Sequence, residues 1–135
     1  MKTKGVRYWK KKAWDEFSKY IRLRDAKGSE SAICCTCGKT YNAFGLGCMQ
    51  AGHYVPGRRN AYLFEEHNCH AQCYVCNTTF KGRPIEYREF MDRTYGKKER
   101  KRIEALRFVT IKYSPAELEA IRDKYKAKYE KLKGE

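Results

Sequence analysis

The sequence predicts an α+β domain in which a short strand–loop–strand–helix unit, tied together by cysteines, is flanked by α-helices. Three observations carry this expectation. Cysteine pairs with C-x2-C spacing stand at 34–37 and 73–76. Apolar residues recur at helical spacing towards both ends of the chain. All seven cysteines and all three histidines fall between residues 33 and 81, where the helical period lapses. With 135 residues, 41% of them hydrophobic, the chain can bury one modest core, so residues 1–135 are read as a single domain.

Residues 1–12 read as a basic arm carrying Lys2, Lys4, Arg7, Lys10, Lys11 and Lys12 with no acid. "AWDEFSKYIRLRDA" follows, where Trp14, Phe17 and Ile21 repeat at helical spacing and Tyr20 widens the stripe. This predicts an amphipathic helix over about 13–25, starting near Lys11. "KGSES" breaks it as a loop. In the cysteine-rich stretch, 33–81, "QAGHYVP" suits a strand, "PGRRN" a turn, "HNCHAQ" a returning strand and "CYVCNTTF" the start of a short helix. The C-terminal part, 84–135, is helical. A helix runs from Ile85 to Tyr95 and stops at Gly96, a favoured residue just past a helix end. "KKERKRIEALRF" is a further short helix. "SPAE" at 114–117 is a capping box with proline at the first helical position, and Leu118, Ile121, Tyr125, Tyr129 and Leu132 stripe the last helix.

Thirty Lys and Arg stand against 16 Asp and Glu, a formal net charge of +14, and 14% of residues are aromatic, with eleven tyrosines. Basic groups set among ring faces suit phosphate contact combined with base stacking, so nucleic acid is the expected partner. The chain contains no run approaching the roughly 20 apolar residues of a spanning helix, and its basic opening lacks the apolar core of a signal peptide. No membrane is expected, and a cytoplasmic setting is. There thiols stay reduced, and cysteine clusters more often hold metal than form disulfides.

Two thiolates separated by two residues on a tight turn can reach one ion, and two such turns complete a tetrahedral cage. Cys34, Cys37, Cys73 and Cys76 are therefore the expected ligands of a structural Zn²⁺. Cys34 is preferred to Cys35, which stands only two positions from Cys37 and would crowd the turn. Cys48 and Cys69 are expected to be small core fillers. Four sulfurs leave no open coordination position, so this ion would tie the chain and would not activate water.

His53 with Pro56, Asn68 five positions before Cys73, and Asn77 directly after C-x2-C form a second constellation. Here the chain resembles the HNH (ββα-metal) nucleases, matching their H-x-x-P, N-x-x-x-x-C and the final Asn or His. It is more closely similar to the phage NinG/Rap recombination endonucleases through "FSKYIRLRDA", "CTCGK", "QAGHYVPGR", "NCHAQCYVCN" and "KGRPIEYREFMDRTYG", from about residue 13 to 96. The resemblance implies a ββα-metal core and hydrolysis of DNA phosphodiesters, with branched DNA such as a Holliday junction or D-loop as substrate in phage recombination. The setting would be the host cytoplasm. It makes His53 the general base, Asn68 the residue that orients it and Asn77 a ligand of a catalytic Mg²⁺ or Mn²⁺, with His70 a further candidate ligand. Lys10, Lys11, Lys12, Arg58, Arg59, Lys81 and Arg83 are the candidate phosphate contacts.

Many members of that family carry Asp or His just before the base, as a metal ligand. This chain has Gly52. His70 or Gln50 would then substitute, or the metal would be held loosely, or His53 would itself be a ligand. A non-catalytic zinc module that binds nucleic acid is the alternative reading, and a protein-interaction subunit using the last helix a third. Symmetric cutting of a junction calls for two active sites, which makes a homodimer the expected assembly.

Overall fold

The computed structural model describes residues 3–134. It is a mixed α+β fold of two two-stranded antiparallel sheets held among helices. Helix α1 runs from Val6 to Asp25. The basic arm is thus largely helical, which corrects the helix start near Lys11; Lys2 lies outside the described residues. The extension follows from its aromatics. Tyr8 and Trp9 meet edge to face at 5.0 Å, Lys4 and Lys12 lie over the Tyr8 ring, and Arg122 lies over Trp9. Two lysines of a run read as charge alone therefore lie over a ring.

Strands β1 (Ser31–Ile33) and β2 (Thr40–Asn42) form a hairpin that the sequence reading missed. Its turn carries the first cysteine pair. Strand β3 (Gln50–His53) pairs with β4 (Cys69–Gln72), placing Gln50 opposite Gln72, Gly52 opposite His70 and His53 opposite Cys69. Between them lie a helical turn, α2 (Asn60–Leu63), and a 3-10 turn over Glu66–Asn68. A π-helical turn over Val75–Thr79 follows β4.

Helices α3 (Pro84–Tyr95), α4 (Lys97–Ala105) and α5 (Pro115–Gly134) complete the chain. Gly96 ends α3 with φ of 89°, a conformation that favours glycine. The capping box at α5 is formed reciprocally: the Glu117 amide donates to Ser114 Oγ at 3.1 Å, and the Ser114 amide donates to Glu117 Oε1 at 3.0 Å. The α5 stripe packs on α1 through Phe17, Ile21 and Tyr125. That use of its apolar face counts against the last helix as a free protein-docking element.

Three small apolar clusters build the core. One surrounds the cysteine turns, one joins α3 and α4 to Val55 and Tyr62, and one joins α1 and α5 to Cys69 and Ala51. The β3–β4 pair therefore has α1 against one side and α3 against the other. With only two strands, β3 keeps a free edge, and a groove opens along it. No helix among the described residues is long and apolar enough to cross a membrane.

Candidate functional site

The Sγ atoms of Cys34, Cys37, Cys73 and Cys76 all lie within 4.8 Å of one another, a spacing compatible with a tetrahedral zinc site. Cys34 and Cys37 come from the β1–β2 turn, Cys73 and Cys76 from the turn that leaves β4. Cys35 points away and is buried in the cluster containing Tyr87, as the crowding argument predicts. Cys69 is fully buried, whereas Cys48 is only partly so and meets Arg22 Nη1 at 3.6 Å. Burial opposes ionisation of Cys34, yet hydrogen bonds from the Thr36 hydroxyl and from backbone amides bring its pKa down to about 6. Burial and the neighbouring sulfurs push Cys73 up to about 12. A cation among the four sulfurs would favour their thiolate forms.

The groove along β3 has a volume of about 910 Å³, and His53, Gln50, Asn77, Arg58, Lys81 and Arg22 all line it. His53 Nε2 lies 3.0 Å from the Leu63 carbonyl, which can only accept, so this nitrogen carries the proton and Nδ1 keeps the lone pair. The ring stacks on Trp14 at 5.2 Å, and the Arg58 guanidinium lies 5.0 Å from the same indole. Burial holds the His53 pKa below the usual histidine value. The Leu63 carbonyl works against that shift and Arg58 adds to it. His53 is thus a neutral imidazole of fixed tautomer in a basic groove, which is what a general base needs.

Asn77 reaches the groove from the π-helical turn. Its Nδ2 donates to Gln50 Oε1 at 2.7 Å, which orients the amide and leaves Oδ1 for another partner. Gln50 thereby acts on Asn77 and has its own oxygen engaged.

Several of the expected site residues have other partners in the structure. Asn68 is fully buried and does not orient His53. It clasps the backbone of Val55, accepting from the amide at 2.7 Å and donating to the carbonyl at 3.2 Å, so it shapes the chain just after the base. The ring is oriented by Leu63 instead. His70 has both ring nitrogens occupied by tyrosine hydroxyls. Its Nδ1 meets Tyr87 Oη at 3.0 Å and its Nε2 meets Tyr95 Oη at 2.6 Å, and Tyr87 in turn donates to the Gly52 carbonyl at 2.7 Å. With both ring nitrogens engaged and burial, then Arg24, holding its pKa well below normal, His70 is a neutral strut between β4 and α3.

The basic residues divide in the same way. Arg58 and Lys81 line the groove, but Arg59 turns to the Arg107 carbonyl at 3.1 Å. Arg83 donates to Cys76 Sγ at 3.1 Å and lies 4.0 Å over Phe80, serving the cysteine cluster. Lys10 donates to the Arg58 carbonyl at 3.0 Å, tethering that loop to α1. Lys11 pairs with Asp15 at 3.1 Å, and Lys12 covers Tyr8. Trp14, on the apolar stripe of the helix, packs against the Phe17, Ile21 and Tyr125 cluster and also stands in the groove, as does Arg22, which was not named among the candidate phosphate contacts. Their spacing along α1 was the available signal, since residues 14, 18 and 22 share one helix face and all three line it.

Comparison with known proteins places the chain. The family model described as "Bacteriophage Lambda NinG protein" matches residues 1–135. The "Protein ninG" of Escherichia phage 933W is 31% identical over 127 residues, covering 93% of this chain and 59% of that protein. Those of Salmonella phage P22 and Escherichia phage lambda are each 35% identical over 82 residues, covering 60% of this chain and 36% of each relative. The chain thus spans little more than half the length of the 933W relative. No solved structure matches it. A family model that matches from end to end, with relatives conforming at these identities, shows that this chain belongs to the NinG family of phage lambda.

Proposed function

We propose that this chain is a metal-dependent DNA endonuclease of HNH type acting on branched, recombination-intermediate DNA in the host cytoplasm. The observation that carries the reading is the convergence, in one basic groove, of a neutral fixed-tautomer histidine and a free amide oxygen, His53 and Asn77 Oδ1. The succession of β3, β4 and a helical turn, with the cysteine cluster beside it, supports the ββα-metal reading. His53 Nδ1 takes the proton from the attacking water. Arg58 and Lys81 hold the phosphate, and Trp14 and the Leu63 carbonyl keep the imidazole in place.

Asn77 Oδ1 is a neutral donor and no carboxylate lines the groove among the described residues, so Mg²⁺ or Mn²⁺ held there would keep most of its water and depend on the DNA phosphate for its anionic ligand. When bound, such an ion supplies positive charge to the leaving oxygen. Zn²⁺ on Cys34, Cys37, Cys73 and Cys76 would serve as the structural staple.

The test is a nicking assay on supercoiled and branched DNA across a divalent-metal titration, with chelator as the zero point. Cleavage that requires added Mg²⁺ or Mn²⁺ is expected. Asn77→Ala should lower activity at limiting metal and recover part of it at high metal, because a lost ligand weakens metal affinity and leaves the base intact. The missing carboxylate favours a second reading, a zinc-bearing module that binds nucleic acid without cutting it. A wild-type chain that never cuts under any divalent metal would establish that reading instead.

Binding makes a further prediction. With a net charge of +14, affinity should fall steeply with salt whatever the sequence bound. Preference for a four-way junction over linear duplex of the same sequence would then come from shape. Equal affinities at matched salt would remove the branched-DNA claim. A chain that cuts both strands of a junction symmetrically should also sediment as a homodimer on that DNA.

A further inference from the structure

Gln72 ends β4 with its side chain fully buried. Its Nε2 donates to the Gly82 carbonyl at 2.9 Å and to the Thr36 hydroxyl at 3.1 Å. These contacts decide which way the amide faces, since the reverse would set two carbonyl oxygens against each other without a proton between them. Oε1, so oriented, is buried and has no hydrogen-bond partner among the described residues. Leaving a buried amide acceptor unpaired costs about 1–3 kcal/mol, so such a group calls for a specific cause.

Gly52 points to that cause. A Cβ added there would meet Gln72 Oε1 at 2.1 Å and Asn77 Oδ1 at 3.0 Å. The Gln72 amide therefore occupies the space in which a side chain at position 52 would stand. Two amide oxygens approach one point beside the strand that bears His53, and neither accepts a hydrogen bond among the described residues. Asn77 connects that point to the groove. Oxygens without donors, gathered around one locus, are the coordination a hard cation takes.

We infer that Gln72 Oε1 is a ligand of the divalent cation together with Asn77 Oδ1, supplying from β4 the oxygen that Gly52 cannot. The inference rests on the metal-dependent reading above and extends it to a residue outside that reading. It also gives Gly52 a physical reason: any larger residue there drives Gln72 out of position.

The experiment measures Mn²⁺ binding by electron paramagnetic resonance on the zinc-loaded full chain held on a short duplex, in a His53→Ala background so that the DNA is not consumed. Gln72→Met keeps the volume and removes the oxygen. The expected result is an Mn²⁺ dissociation constant raised by about tenfold or more, within the range seen when groups around a metal are removed, with zinc content and DNA affinity unchanged. Gln72→Ala combined with Gly52→Asp puts a carboxylate into the vacated space and should bind Mn²⁺ at least as tightly as the parent. Parent-like Mn²⁺ affinity in Gln72→Met overturns the inference.

If Gln72→Met loses zinc through its Thr36 contact, Gly52→Ala decides. Its Cβ displaces Oε1 without deleting any hydrogen-bonding group, and unchanged Mn²⁺ affinity there is equally fatal. Mn²⁺ binding that depends on Gln72 in a wild-type chain that never cuts DNA would keep the inference and remove the nuclease reading. Metal-dependent cutting with Mn²⁺ affinity indifferent to Gln72 would do the reverse.

Discussion

Replacing His53 with alanine is expected to lower DNA cleavage by a factor on the order of 10² to 10⁴, the usual contribution of a positioned acid–base group. The substitution removes Nδ1 but none of the four clustered thiolates, so zinc content and DNA affinity should persist. It also removes the hydrogen bond to Leu63 and the stack on Trp14, so a stability loss of about 1–2 kcal/mol is expected alongside. A thermal melt separates that loss from the catalytic one. Normal cutting by His53→Ala would remove His53 from the role of base.

On the proposed mechanism the same group would set the pH dependence, with the neutral ring as the form that takes the proton. Burial, helped by Arg58, holds the His53 pKa below the usual histidine value. Activity should therefore persist below the pH at which an ordinary histidine protonates and fall only as pH drops through the lowered value. Arg58→Met removes one of the two causes, so its acid limb should move to higher pH. An acid limb in the variant that coincides with the wild type, measured on the same DNA, would show that Arg58 does not tune the base.

Cys73→Ser and Cys37→Ser are expected to unfold the region around β3 and β4 at ordinary temperature. Structural zinc contributes roughly 10–16 kcal/mol of apparent binding energy in small modules, comparable to the whole stability of an ordinary domain at about 5–15 kcal/mol. The three apolar clusters here are small, and one of them is built around these cysteines. Cys48→Ser is the control, being partly exposed and outside the cluster. Metal analysis should find zinc in the wild type and in Cys48→Ser, and its loss should accompany the loss of melting cooperativity in the other two. A wild-type protein purified without zinc, or normal melting of Cys73→Ser, would contradict the staple.

Sequence by itself determined the features whose cause lies within a few residues. The C-x2-C pairs, the choice of Cys34 over Cys35, the capping box at Ser114 and the helix stop at Gly96 are all local, because the interacting groups are fixed by spacing along the chain. The two strands were readable from runs that suit strands, but the α2 and 3-10 turns that separate them were not. Tertiary structure alone decided where polar side chains found their partners. Alternation along β4 puts His70 on one face, but nothing near it in sequence says that Tyr87 and Tyr95, 17 and 25 residues on, would take both of its nitrogens. Asn68 found the Val55 backbone and Arg83 found Cys76 because buried polar groups bind whatever donor or acceptor packing brings within reach. Gly52 reads in sequence as a missing side chain. Only the packed sheet shows that the amide of Gln72 fills its place.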